Sequence, residues 1–335
     1  MVLRRACSRA LLAVVAIAVG IVAVPAPGAA APKPARDDLR VVNYNLLHGI
    51  FCDDGTDCQA PDRVELFLRQ LETARCPEVV GLQEINNNLR AILADRLGDV
   101  CDGKYRTVFA ESDANDGELV LTSLAVKKPE IVDLPGALRT ASRVELASPL
   151  GPVVVVVTHQ DGDKTYPSCR SDIPRHRCPP PCPEGTTHST CQTILGLRLA
   201  DRGGGRRAIR VYMGDFNVPP GNPRYQAILD AGYLDSHLAA GNAECDPVTG
   251  VECTAGRVDN RIAALKDPSA REQERIDFIF VKAPKGCRAI FDPVTDADGD
   301  GLGTGLFAAA PAVGGPGGIV WPSDHTAVSM DMTCA

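Results

Sequence analysis

Short runs of alternating apolar and other residues recur along the chain, and several of them stop at polar groups with chemical capacity. In RAIRVYMGDFN (207–217), Ile209, Val211 and Met213 alternate as strand side chains do. Gly214 then frees the backbone before Asp215 and Asn217. The pattern predicts a buried strand ending in a carboxylate and an amide that can reach one phosphate. Asp and Asn are ordinary turn residues, so this motif gains its weight from the rest of the chain.

The same arrangement returns elsewhere. LRVVNYNLL (39–47) reads as a strand with Asn43 and Asn45 on one face and Val42 and Tyr44 on the other, making Asn45 a candidate ligand. A strand over Glu78 to Leu82 runs into Gln83-Glu84. A carboxylate at a buried strand end is costly unless something positive meets it, and a divalent metal would do so. PVVVVVTHQ (152–160) is nearly all apolar, as in a central strand buried on both faces, and delivers Thr158 and His159. ERIDFIFVK (274–282) puts Ile276, Phe278 and Phe280 on one face and Asp277 beside Ile279 on the other, where a charge ordinarily marks an edge strand. WPSDHTAVSMDM (321–332) places Asp324 and His325 just before a last strand.

Helical spacing predicts a helix from Pro61-Asp62 with Val64, Phe67, Leu68 and Leu71 on one face, and another through Leu89, Ile92, Leu93 and Leu97. Two more fall near Gln192 to Asp201 and over NPRYQAIL (222–229). Between Tyr105 and Val157 the runs YRTVF, ELVLTSLAV, EIVDL, SRVEL and PVVVVV follow one another without long helices. That clustering predicts antiparallel pairing within mixed sheets rather than a purely parallel doubly wound sheet. No internal repeat is present.

Residues 1–30 carry Arg4, Arg5 and Arg9, an apolar run from Leu11 to Val24 and small residues near Ala30, the pattern of a secretory signal. The Arg pair hints at twin-arginine export. Fourteen apolar residues are short for a bilayer span, and no other run is long enough. The expectation is a secreted, soluble mature chain with a Pro/Ala-rich linker over 31–38 and one domain over 39–335. Loss of Cys7 leaves twelve of thirteen cysteines, an even number suited to an oxidising compartment. Local spacing and strand adjacency favour disulfides 52–58, 76–101, 245–253 and 287–334, with Cys169, Cys178, Cys182 and Cys191 of the cysteine-rich loop (161–191) pairing among themselves. Zinc held by those four with His176 and His188 is the competing reading, disfavoured by the loose spacing. Removal of three arginines takes the formal charge from −7 to about −10. So acidic a chain is not a stable nucleic-acid-coating protein. A nuclease that binds briefly through a metal remains compatible.

Taken in order, VNYN, LQE, LVLTS, VTH, GDFN and RIDFIF with SDH resemble the endonuclease/exonuclease/phosphatase superfamily across residues 39–333. The resemblance implies an α/β four-layer sandwich of the DNase I type, with two mixed β-sheets face to face and helices outside. It implies Glu84 as the main Mg²⁺ (or Mn²⁺) ligand, with Asn45 nearby and Asp324 close to the metal. It implies Asp277 paired with His325, Asp215 and Asn217 positioning water and phosphate, and His159 contacting the phosphate or the leaving oxygen. Two positions depart from the pattern: Val157 stands where many members carry Asn before Thr-His, and Ser123 where many carry Arg. His48 in NLLHG is a further candidate for the pocket wall.

The chemistry can be argued without the family. Hydrolysis of a phosphodiester needs a cation for developing charge, a base for water and a donor for the leaving oxygen. Glu84 holds the cation, and His325 oriented by Asp277, or else Asp215, takes the proton. The substrate is nucleic acid or, alternatively, a phospholipid headgroup such as that of sphingomyelin, and a monomer is expected. A reading from another class, an idle relative binding a surface partner through its stapled loops, sits badly with an intact polar set. Finally, DADGDG (296–301) matches the first half of a calcium loop, with Asp296, Asp298 and Asp300 as Ca²⁺ candidates, although Phe307 stands where a bidentate Glu belongs.

Overall fold

Residues 38–112, 116–136, 139–162, 168–170, 177–258, 260–289 and 304–335 are described by a computed structural model. The signal sequence, nearly all of the linker, His176 and the three calcium-candidate aspartates lie outside these residues.

Thirteen strands among the described residues form two sheets. The first contains β1 (Asp38–Asn45), β2 (Val79–Gln83), β3 (Arg106–Glu111) and β4 (Gly117–Thr122). The second contains β5 (Ala125–Asp133), β6 (Thr140–Ser148), β7 (Gly151–His159), β8 (Ile209–Asp215), β9 (Leu234–Asp235) and β10 (Asp277–Lys282). The chain then returns to the first sheet with β11 (Cys287–Ala289), β12 (Gly305–Phe307) and β13 (Ala327–Cys334). Their orders are β11-β13-β1-β2-β4-β3, with β12 also on β13, and β5-β6-β7-β8-β10-β9. Each sheet is mixed, because β1 runs parallel to β2 and β7 parallel to β8 while their other neighbours are antiparallel.

The alternation read from the sequence decides which face goes where. Val41, Val79, Met330 and Met332 of the first sheet meet Val153, Val155, Val157, Ile209, Val211, Met213 and Ile279 of the second in a common inter-sheet core. On the outer face of the first sheet, Val42, Tyr44, Val80 and Leu82 pack under α1 (Ala60–Thr73) and α2 (Asn87–Arg96), which contribute Val64, Phe67, Leu68, Leu89 and Leu93. On the outer face of the second, Val156, Tyr212, Phe278 and Phe280 pack with α3 (His188–Asp201) and α4 (Pro223–Asp230). The short helices α5 (Ser236–Ala239) and α6 (Ile262–Lys266) were not foreseen.

ELVLTSLAV, read as one strand run, is divided instead. Its first part is β4 of the first sheet, and from Ala125 the chain enters β5 of the second and absorbs EIVDL. The alternation does not record this change of sheet, because both halves are apolar. Asp277 is no edge residue either: β10 lies between β8 and β9, and Asp277 is 1 % exposed. Among the described residues, six disulfides join 52–58, 76–101, 169–178, 182–191, 245–253 and 287–334. The four central cysteines therefore pair as two adjacent staples and are not available to zinc.

Candidate active site

The strands that read as chemically terminated all end at one edge of the sandwich. β1 ends in Asn45, β2 leads into Glu84, β7 ends in His159, β8 ends in Asp215, and β10 begins at Asp277. The parallel pairs set this convergence directly, with Asn45 registering with Gln83 and His159 with Asp215. Gly214 is needed because β7 runs so close that a Cβ there would lie 1.9 Å from the Thr158 carbonyl oxygen. Gly81 plays a similar part between the sheets: a Cβ would fall 2.8 Å from a methyl of Val157. The missing side chain makes room for the valine at that departed position.

Asn45 is central. Its Nδ2 lies 3.0 Å from Glu84 Oε1, 3.1 Å from Asp215 Oδ2 and 3.5 Å from His325 Nε2. Its Oδ1 accepts the Leu47 N–H. The amide thus turns its nitrogen toward the carboxylates and its oxygen toward the Leu47 N–H, and in this orientation it donates to anionic oxygen. The backbone carbonyl of Asn45 accepts from Ser323 Oγ, which also touches Asp324 Oδ1. Through these links Glu84, Asn45 and Asp324 belong to one cluster.

Glu84 adopts a left-handed backbone with φ 61°, unusual for a residue with a long side chain and a mark of a constrained site. Its Oε2 accepts the His48 N–H at 3.0 Å and faces His48 Nε2 at 3.7 Å. Burial opposes its charge, yet the neighbouring His159 and His48 and these hydrogen bonds hold its carboxyl below the ordinary range. His48 accepts the Ile50 N–H at Nδ1, which leaves its proton on the nitrogen that faces Glu84. His48 therefore stands directly beside Glu84.

Two histidines flank Asp215. His325 Nδ1 lies 2.9 Å from Asp277 Oδ2 and its Nε2 lies 3.9 Å from Asp215 Oδ2. Burial works against its charged form, but Asp277, Asp324 and Asp215 outweigh burial and raise its pKa well above the usual value. His159 Nε2 lies 3.5 Å from the same Asp215 oxygen. Burial and then Arg139 depress its pKa. Asp215 itself is pushed up to about 7, first by burial and then by Asp277. Asn217, at φ 52°, donates its N–H to Asp215 Oδ1 and its Nδ2 to the Gln160 carbonyl, 3.1 Å from His159 Nε2.

The eight site residues expected within the described chain therefore meet in one place. Arg139, Asp161, Asp116 and Arg63 were not foreseen. Arg139 and Asp161 stand behind His159, and Asp116 is pushed up to about 6 by burial and by Glu84. Arg63 is fully buried and donates to the carbonyls of Leu46, Leu47, Asp57, Cys58 and Pro322. Its signal was legible, since it falls four residues before Phe67 on the apolar face of α1. The others are lone polar residues in connections, with no periodicity to expose them.

The donor chemistry fits a hard divalent cation. Asp215, Asp277 and His325 bring ligand atoms within 4.8 Å of one another, Glu84 stands across the Asn45 amide from Asp215, and Asp277 Oδ1 is buried without a hydrogen-bond partner. Such an excess of buried negative charge is stabilised by an ion with oxygen preference.

Residues 42–325 match the model of the Endonuclease/Exonuclease/phosphatase family. No curated protein is matched by sequence. Among solved structures, an endonuclease/exonuclease/phosphatase from Bacteroides vulgatus superposes with a TM-score of 0.60 at 19 % identity, covering 89 % of this chain and 99 % of that one. The mannosyl-6-phosphatase of Bacteroides thetaiotaomicron gives 0.61 at 15 % identity, over 88 % and 99 % of the two chains. The D. rerio TDP2 complexed with single strand DNA product gives 0.58 at 15 %, over the same shares.

Proposed function

Because the chain belongs to the endonuclease/exonuclease/phosphatase family, whose members hydrolyse phosphoester bonds, we propose that it is a secreted, Mg²⁺- or Mn²⁺-dependent phosphodiesterase acting on single-stranded nucleic acid. The observation that carries the chemistry is the placing of Asp215 Oδ2 between two imidazoles and an amide, 3.5 Å from His159, 3.9 Å from His325 and 3.1 Å from Asn45. A carboxylate so surrounded can take a proton from an attacking water while the donors around it bind phosphoryl oxygens.

Glu84 and Asp324 hold the ion in this reading. Bound there, the ion supplies positive charge to the phosphoryl group as negative charge develops. Asp215, with its pKa near neutrality, is the base. His325, whose pKa the carboxylates around it raise well above the usual value, serves in this reading as a donor through Nε2. Asn45 and Asn217 add amide donors on either side.

The substrate preference rests on Phe51. It is 76 % exposed, and its ring stands 5.7 Å from the His48 ring, which itself faces Glu84. The disulfide 52–58 ties the loop that follows. An exposed aromatic ring beside a phosphate-cleaving centre offers a face on which an unpaired base can stack. Ile50, 43 % exposed, adjoins it, and this apolar pair favours the phospholipid reading as the second choice. Export is supported by the N-terminal pattern and by six disulfides. The test is hydrolysis by the exported protein of single-stranded DNA, RNA, sphingomyelin vesicles and a sugar phosphate, with Mg²⁺, Mn²⁺ or chelator. Metal-dependent cleavage of the single strands supports the proposal. Hydrolysis confined to vesicles or to the sugar phosphate, or activity untouched by chelator, overturns it.

A further inference from the structure

His159 is held in a manner opposite to His325. Where His325 faces a carboxylate, His159 Nδ1 lies 2.8 Å from Arg139 Nη1. Arg139 is itself fixed: its Nε donates to Asp161 Oδ1 at 2.7 Å. Asp161 is clamped in turn by Gln192, whose Nε2 donates to Asp161 Oδ2 at 2.7 Å and whose Oε1 accepts the Asp161 N–H at 2.8 Å. Asp161 and the His159 ring are almost completely buried, and Arg139 is 15 % exposed.

A guanidinium has donors only and does not lose its proton in proteins. Nδ1 of His159 must therefore present its lone pair to Arg139, and the ring proton must sit on Nε2. That nitrogen points to the centre of the site, toward Asp215 Oδ2 at 3.5 Å, with Asn217 Nδ2 only 3.1 Å away. One Asn217 amide hydrogen is taken by the Gln160 carbonyl. Two donors so close together are suited to share one anionic oxygen.

We propose that Arg139 is a positioning residue that fixes His159 as the neutral Nε2–H tautomer, so that His159 and Asn217 form a paired donor for a single phosphoryl oxygen. His159 then donates to this oxygen and plays no part as a base. The catalytic half of the inference rests on the phosphoester reading above, whereas the tautomer does not.

The experiment is a long-range ¹H–¹⁵N correlation spectrum of the ¹⁵N-histidine-labelled protein at neutral pH, with His159 assigned by comparison with His159→Gln. The expected signature is an unprotonated Nδ1 and a protonated Nε2. Arg139→Met should abolish that single-tautomer signature and lower kcat about 10- to 100-fold, as loss of a group orienting an active-site histidine does, with KM little changed. Arg139→Lys, which keeps a donor-only cation, should restore the signature and most of kcat. A parental His159 protonated on Nδ1, or on both nitrogens, overturns the proposal whatever the variants do, as does an unchanged signature in Arg139→Met. The spectrum does not depend on turnover, so failure to cleave any phosphoester would sink the proposed function and leave the tautomer assignment to be judged by itself.

Discussion

Asp215 and Asp277 are register partners across β8 and β10, and His325 sits against both, 2.9 Å from Asp277 and 3.9 Å from Asp215. Two buried carboxylates on adjacent strands cannot both be charged cheaply, and the pairing of Asp277 with the imidazole leaves Asp215 to absorb the cost. This relationship fixes how the site responds to protons and cations.

The folded state raises the pKa of Asp215 to about 7, against about 3.9 in an unfolded chain. A group raised on folding contributes stability that is complete below the unfolded value and is lost as pH rises through the folded one. In chelated protein, Asp215→Asn should therefore gain thermal stability over the parent as pH climbs from about 4 to above 7. Divalent metal should shrink that gap by offsetting the carboxylate charge. Melting temperatures that run parallel across this range would rule the linkage out.

Catalytic defects should separate by role. Asp215→Asn is expected to lower kcat by about 10² to 10⁴ at any metal concentration. Glu84→Gln should instead weaken metal binding and recover part of its activity in excess Mn²⁺. Adding Asp277→Asn to His325→Ala should cost little beyond either change alone, because the pair acts as a unit. Steady-state kinetics with a metal titration, alongside circular dichroism to verify folding, checks all three.

Phe51→Ala should leave the melting temperature unchanged, since the ring is largely exposed. Loss of one base-stacking contact corresponds to about 1–3 kcal/mol, so KM for single-stranded DNA should rise by roughly 5-fold or more while kcat on a small phosphodiester stays constant. Equal losses on both substrates would remove Phe51 from substrate recognition.

Arg40 and Asp331 form a buried two-point ion pair between β1 and β13, with contacts of 2.8 and 2.7 Å. Arg40→Met alone should destabilise by about 3–5 kcal/mol because it strands a buried carboxylate. Adding Asp331→Leu should recover much of that loss. Chemical denaturation of the two variants decides it, and a double variant no better than the single one would contradict the argument.

Much of this arrangement could be read from the sequence because strand ends are local. The alternation through Ile209, Val211 and Met213 had to place Asp215 at a buried edge, and the parallel partner β7 had to bring His159 beside it. The unforeseen parts depend on contacts distant in sequence. Arg139 meets His159 only because it leads into β6, which lies next to β7. Asn45 ends β1, but the direction of its amide is set by the Leu47 N–H, which no periodicity records. The division of ELVLTSLAV between sheets was hidden because both segments are written in apolar residues, although only the first is fully buried.

The Arg63 guanidinium has five N–H donors, and five backbone carbonyls from three separate segments occupy them. Opening any one of these segments would leave part of a buried cation unsatisfied, so none gains much by opening alone. The Leu46–Leu47 turn, the Asp57–Cys58 turn and the Pro322 approach to Asp324 consequently share a single opening free energy and should exchange amide hydrogens as one cooperative unit. An ion held at Glu84 and Asp324 would slow exchange throughout that unit, carrying protection as far as the Asp57–Cys58 turn.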